Sequence, residues 1–533
     1  SGAAATFRVL QIGGKARWWW LSRHLPGFAP LSETAYGFFA RHRGVLAALT
    51  TLLWGRRLEP AQYDLTRFLF VRLFGAILVS AFVSLAVQIL GLVGHQGLLP
   101  AAPYLAAARE GWGASAYWRL PTLFWLNASD AGLLGATLVG ALGGVLVLFN
   151  VLARPALILA FALYLSLVYA GQIFLNYQWD QLLIETDFLA IFLVSGSPLV
   201  LFLFRFLTFR FLFLAGVTKI LSGDQSWQGF TALDTHFWTQ PLPAPFAWPA
   251  SVLPEPVLHA GTAAALILEV VLPFMIFLPR RPRMAYAWGV IVFQLIIIAT
   301  GNFNFFNLLT MLLCLPLFDD QALRAVSPTQ LVAFVENHRA QSGRAATVSA
   351  LLVALVTVPV GLDRLTRPFT QKALPLIGRL TDAIAPFQIV NPYGLFITTT
   401  TTRPEIVIQG SDDGRHWRDY VTRYYPGPLT RRPGWNIPHQ PRLDWQLWFA
   451  SYGSAGDNPW FIALMRALLE GRAPVLALLG TNPFPDHPPQ SLRATLYDYR
   501  FASPSLRPHQ WWTRREAGLY FPQVTLADLP SPR

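Results

Sequence analysis

Charge is scarce in this chain. Of 533 residues, 13% are charged and 53% hydrophobic, whereas soluble domains carry about 25% charged residues. A deficit of that size over so long a chain points to lipid as part of the solvent. Cysteine is scarcer still. Cys314, inside an apolar run, is the one cysteine, so an intrachain disulfide and a CxxC redox pair are both excluded. The formal net charge is +13, but no Lys/Arg-rich run with interleaved aromatics occurs, which argues against nucleic acid as a partner. GxSxG, Walker A, HExxH and the Rossmann fingerprint are also missing. His236 has no second His or Cys at metal-ligand spacing, so no metal is expected. No short apolar run at the N-terminus reads as a cleavable signal; the first long one, near Phe68, reads as an anchor.

What is present is a series of apolar runs. A spanning helix needs about 20 mostly apolar residues. Runs at 68–92, 131–152, 155–175, 183–204, 205–221, 257–279, 284–300, 302–318 and 346–362 predict about nine spans, the fifth punctuated by Arg205, Arg210 and Lys219. Loop charge tests the count. With nine spans, the basic segment 1–66, Arg154, Arg205, the turn with Arg280, Arg281 and Arg283, and the loop with Arg324, Arg339 and Arg344 fall on one side. The stretch 222–256, without Lys or Arg, falls on the other. This predicts a cytoplasmic N-terminal segment (1–66), a helical membrane domain (67–365) and a C-terminal domain (380–533) on the far side. Beyond 380 long apolar runs stop. PEIVIQGSDDGRHWRDY reads as strand, turn, strand, SLRATLYDYRF as another strand, and NPWFIALMRALLEG as a short helix ended by Gly471. A mainly-β extramembrane domain, in the manner of a sandwich, is expected there.

Ionisable groups within lipid are functional candidates by default. In NYQWDQLLIETDFLAIFL (176–193), helical spacing puts Asn176, Asp180 and Asp187 near one stripe and Gln178, Gln181 and Glu185 on a second. They form either a polar pocket or a helix entry held by ion pairs, for example to Arg72. Trp179 belongs to the same stretch. Lys219 ends an apolar helix, where it either snorkels to the interface or, desolvated, serves as a general base. A loop with Asp224, Trp227, Asp234, His236, Trp238 and Gln240 follows. Asn302, Asn304 and Asn307 in GNFNFFNLLT cap a helix or line a cavity.

These segments together resemble the lipase maturation factor family. The membrane half carries NYQWDQLLIETDFLAIFL, FRFLFLAGVTKILSGDQSWQGFTALDTHFWTQPLPAPF, and GNFNFFNLLT followed by FDD. The C-terminal half carries VNPYGLF (390–396), RLDWQLWFA (442–450), NPWF (458–461), LLEGRAPVLALLGTNPFPDHPP (468–489) and WWTRR (511–515). The resemblance runs in the family's order from about residue 60 to 523. It implies a multi-pass protein that, in animals, sits in the endoplasmic reticulum membrane and helps secreted homodimeric lipases fold, assemble and leave. A composition rich in Ala, Arg, Leu and Pro is that of chains from GC-rich bacterial genomes. A bacterial member would lie in the inner membrane with its C-terminal domain in the periplasm.

The membrane half is also distantly similar to the vitamin K-dependent γ-carboxylase superfamily. AGVTK places Lys219 where that family's AGxKK-like stretch carries its catalytic base; NYQWDQ has Asn176 but not the histidine that accompanies it there.

Three functions follow. In the first, the protein is a folding factor that contacts secreted clients such as lipases while embedded among membrane lipids. Trp445, Trp448, Trp511 and Trp512 are then either client-facing or the core of the C-terminal domain. In the second, Lys219 is an intramembrane base acting with a lipidic or quinone-like cofactor of otherwise unknown identity. Asp180, Glu185, Asp187 and Asp234 are its catalytic companions, and Asn176, Trp179, Trp227, His236, Asn302 and Asn304 its cofactor contacts. A transporter comes last, since no matched pair of interrupted spans is present.

Overall fold

Long apolar segments are helical because, in lipid, each backbone N–H and C=O must be satisfied within its own segment. The computed structural model describes residues 2–56, 59–338, 343–503 and 509–530, so Arg339 lies outside the described residues. The described chain is 64% helical. Among the described residues, seven helices are long and apolar enough to cross a membrane: Asp64–Ala86, Asp130–Leu148, Ala153–Ala170, Pro198–Leu221, Glu255–Phe277, Arg280–Thr300 and Arg344–Thr370. Two compact units emerge. One holds residues 1–60 and 277–285; the other holds 61–276 and 286–533.

The seven differ from the expected nine at two places. The runs at 183–204 and 205–221 resolve as helices Gln178–Leu193 and Pro198–Leu221. Gly196, at φ +81°, breaks the chain between them, and Pro198 starts the next helix with φ already set. The run at 302–318 resolves as the short helix Phe306–Leu313 and a 3₁₀ turn, Leu315–Leu317, entered through Pro316. At 16 and 8 residues, Gln178–Leu193 and Phe306–Leu313 fall below spanning length.

Both short helices nevertheless run between the two ends of helix Asp64–Ala86. At its N-terminal end, Arg67 donates to the Gly196 carbonyl. There too, Asp320 accepts from Asp64 N (2.8 Å) and Thr66 N (3.1 Å). At its C-terminal end, Ser84 and Gln88 bond to His439 and Gln440. Gln440 in turn receives a bond from Asn304.

Small residues bring the spans together, as lipid offers little drive for helix association beyond packing. A Cβ at Gly75 would lie 2.4 Å from Leu148 N, so helices Asp64–Ala86 and Asp130–Leu148 touch backbone to backbone there. Phe70, Phe74, Leu78 and Phe82 of the first helix are fully buried at the centre of this unit.

The C-terminal region carries the expected antiparallel sheets. Strands β1 (Pro404–Ser411), β2 (Arg418–Asp419), β5 (Ser491–Phe501) and β6 (Trp512–Val524) form a sheet in the order β2-β1-β5-β6. Strands β3 (Val421–Thr422) and β4 (Leu479–Thr481) pair separately. The Ser411–Gly414 turn is built by local bonds, with Ser411 Oγ accepting from Gly414 N at 2.9 Å and Asp413 Oδ1 from His416 N at 2.8 Å. The predicted helix before Gly471 is Pro459–Leu469, and Gly471 sits at φ +67°. This helix packs on the sheet through Phe461, whose ring lies 5.0 Å from Tyr520 of β6. Burying Trp460 and Phe461 contributes about 1.5–3 kcal/mol each. The layering is therefore helix on sheet.

Candidate functional site

The stretch 176–193 meets the C-terminal half of the chain. Helix Gln178–Leu193 carries Asp180 in its first turn, and Arg442 grips that carboxylate with two bonds of 2.6 and 2.7 Å. Tyr164 OH adds a third at 2.6 Å, and Arg442 also donates to the Phe174 carbonyl at 3.0 Å. Both charged groups are fully buried. One turn further, Glu185 is ion-paired with Arg210 and accepts from Asn391 N (2.9 Å) and Tyr393 OH (2.7 Å). Gln178 exchanges two bonds with the backbone of Gly394. The polar positions of this helix thus hold the VNPYGLF and RLDWQLWFA segments.

The asparagines do the same work from the other side. Asn302 donates to Gly434 O at 2.8 Å and accepts from Asn436 N at 2.9 Å. Asn304 donates to Gln440 Oε1 at 2.6 Å while its own oxygen takes Phe306 N at 2.8 Å. It bonds the backbone at the entrance to the helix and forms a cross-link at once. Trp448 Nε1 donates to Thr239 O at 2.9 Å. Arg403, fully buried, donates to the Trp238, Gln240 and Pro241 carbonyls and pairs with Glu405. Burial pushes the Glu405 carboxyl up to about 7, against the pull of Arg403.

Several expectations change here. Asn176 precedes the helix and is exposed, so it shares no stripe with Asp180. Arg72 bonds the Phe68 carbonyl and covers the Phe68 ring rather than meeting a carboxylate. Trp179 packs edge-on against Trp445 at 4.8 Å. Trp445, Trp448 and Trp512 are buried core residues, and Trp511 is half-buried. Asp187 is buried, with no hydrogen-bond partner among the described residues.

Lys219 ends helix Pro198–Leu221 and is buried, ion-paired with Glu269. Glu269 lies in a π-turn, Ile267–Val271, just before Pro273. Pro273 has no N–H for the Glu269 carbonyl, which loosens the helix there. A Cβ at Gly216 would fall 2.7 Å from the Glu269 Cβ, so the glycine of AGVTK admits this approach. The Trp227 ring centre is 5.1 Å from the Lys219 ammonium. Asp224 fixes that tryptophan by accepting from Ser226 N and Trp227 N, and Trp227 Nε1 donates to Phe396 O at 2.9 Å. His236 packs edge-on to Phe396; burial, with the Lys219 charge behind it, pushes the imidazole down to about 4. Asp234 pairs with His259 at 3.3 Å.

The sequence reading missed Glu269, Arg403 and Arg442 and took Arg210 as mere punctuation. Glu269 had a signal: it is the single acid of an apolar run.

A model of the lipase maturation factor transmembrane domain matches residues 65–325, and one of the lipase maturation factor C-terminal domain matches 389–522. The chain belongs to the lipase maturation factor family. It is similar to lipase maturation factor 2 of Homo sapiens, 33% identical across 87% of this chain and 83% of that protein. It is also similar to lipase maturation factor 1 of Bos taurus, 33% identical across 89% and 91%. No solved structure matches. The bonds from Asp180, Glu185, Asn302 and Asn304 therefore join the two domains by which the lipase maturation factor family is recognised. Among the described residues no group of three His, Cys, Asp or Glu is placed to hold a metal.

Proposed function

We propose that the protein is a membrane-embedded maturation factor that assists the folding and assembly of secreted proteins such as lipases, with its C-terminal domain facing the client. The observation that carries this reading is the interlock of Asp180 with Arg442 and of Glu185 with Asn391 and Tyr393. It fixes a sheet-bearing domain rigidly to the membrane helices, in the manner of a platform held at the membrane where secreted chains emerge. Counting the two short helices gives nine crossings, which puts the N-terminal segment and the sheet on opposite sides. The joint packing of residues 1–60 with the turn 277–285 supports this, since loop charge assigns both to the cytoplasmic side. The membrane is that of the secretory route: inner membrane in a bacterium, endoplasmic reticulum in an animal cell. The second reading, Lys219 as a base on a lipidic or quinone-like cofactor, gains nothing from the site, because the ammonium is engaged by Glu269.

The test is co-expression with a secreted homodimeric lipase in cells lacking the gene. Secreted lipase specific activity rises with the wild-type protein and not with Arg442→Met. Unchanged lipase activity with the wild-type protein present at full level overturns the proposal.

A further inference from the structure

We infer that the N-terminal unit is an interfacial module that lies on an anionic lipid surface. Its apolar helix stripes enter the acyl-chain boundary and its arginines meet headgroup phosphates.

The first argument is topological. The turn within 277–285 joins two spanning helices, Glu255–Phe277 and Arg280–Thr300, so it sits at a membrane face. Residues 1–60 pack with that turn in one unit. A Cβ at Gly55, which has φ +93°, would lie 3.5 Å from Arg281 Nε.

The second argument is exposure. The unit contains helices Gly2–Ile12, Arg17–His24, Phe28–Arg41 and Arg43–Trp54, and of all their described residues only Ala3 is buried. In the last helix Val45, Leu49 and Leu52 recur at i, i+4 and i+7, the spacing of a core-facing stripe. They are 69%, 47% and 63% exposed. A stripe that finds no core within its own unit, a unit that includes a turn between two spanning helices, has lipid to enter.

The third argument is charge. Residues 1–60 hold eight Lys/Arg against Glu33 and Glu59, and 277–285 adds three arginines and no acid. Arg17 and Arg23 lie over the Trp18 and Trp19 rings at 5.2 and 4.9 Å. Tryptophan settles at headgroup depth, and a guanidinium on its face offers phosphate a two-pronged donor. A depression of about 230 Å³ lined by Tyr36, Phe39, Ala40, Arg43 and Leu46 repeats the pairing of aromatic and guanidinium groups. Interfacial helices combine these features.

The experiment uses the full chain with Leu49→Cys in a Cys314→Ala background, spin-labelled and placed in nanodiscs. One set holds phosphatidylcholine alone; the other has about one-third phosphatidylglycerol. Relative to collisions with a water-soluble nickel chelate, collisions with oxygen rise several-fold in the anionic set. Replacing Arg17, Arg23, Arg41 and Arg43 by Gln abolishes the rise, and replacing them by Lys keeps most of it. A label equally open to the chelate in both sets overturns the proposal. So does equal lipid burial in both, which would leave no role for the anionic headgroup.

Discussion

Two buried charge clusters stand on consecutive helices and are built differently. At the junction, Asp180 and Glu185 each collect three or more donors, and Arg442 and Tyr393 lie more than 200 positions away in sequence. At the other cluster, Lys219 meets one carboxylate, Glu269, 50 positions away, beneath a tryptophan ring. The first arrangement fixes geometry, because no single bond can open without leaving a charge stranded in a dry interior. The second fixes less: one side chain held to one other sets a single constraint on two neighbouring helices. Polar residues in a membrane helix thus serve as fasteners where their partners are many and distant in sequence, and as a local tie where the partner is single.

The largest expected effect tests the first half of that contrast. Arg442→Met strands the Asp180 carboxylate and costs about 3–5 kcal/mol of unfolding free energy in mixed micelles. The double variant Asp180→Asn, Arg442→Met regains most of it. A single-variant loss below about 1 kcal/mol would erase the contrast. Lys219→Met sharpens the other half. It leaves the buried Glu269 without its ion-pair partner, so the loss is about 1–3 kcal/mol, the cost of an unsatisfied buried polar group. Asn304 separates bond from backbone. It sits at φ +52°, so Asn304→Ala is less stable than Asn304→Gly by about 1–2 kcal/mol, although both lose the bond to Gln440.

Much of this was legible in the sequence, and for identifiable reasons. Apolar length marked the spans, and the Pro-to-Gly frame of 459–471 marked a helix. The polar segments of the membrane half stood out because ionisable and amide side chains are rare in apolar runs. Their meaning did not stand out. Asp180 reads equally as part of a polar pocket or as half of a buried ion pair until Arg442 is placed against it, and nothing in one sequence pairs positions 262 apart. The two short helices were hidden for another reason: apolar composition continued through the breaks that Gly196 and Pro316 impose. The exposed N-terminal stripe has the same periodicity as a core stripe, and only the fold shows that its own unit does not bury it.

The smallest expected effect is in pH, and it sets Glu405 of β1 against His236 and His439. Burial raises the Glu405 carboxyl from 4.5 to about 7. Between those values the folded protein holds a proton that the unfolded chain has released. This contribution to stability is full below 4.5 and is lost as pH rises through about 7. His236 and His439 run the other way, both pushed from 6.5 down to about 4 by burial. The unfolded chain binds their protons first, so their contribution is full above 6.5 and is lost as pH falls toward 4. Each group changes stability by at most about 1.4 kcal/mol per pH unit. Across pH 5 to 6.5 the two histidines outweigh the one carboxyl, and stability rises with pH. Glu405→Gln removes the opposing slope, so thermal midpoints of the variant climb more steeply over that interval, and the decline that Glu405 causes near pH 7 disappears. An unchanged profile would mean that Arg403 holds Glu405 ionised throughout, making Arg403–Glu405 a third fastener of the junction type.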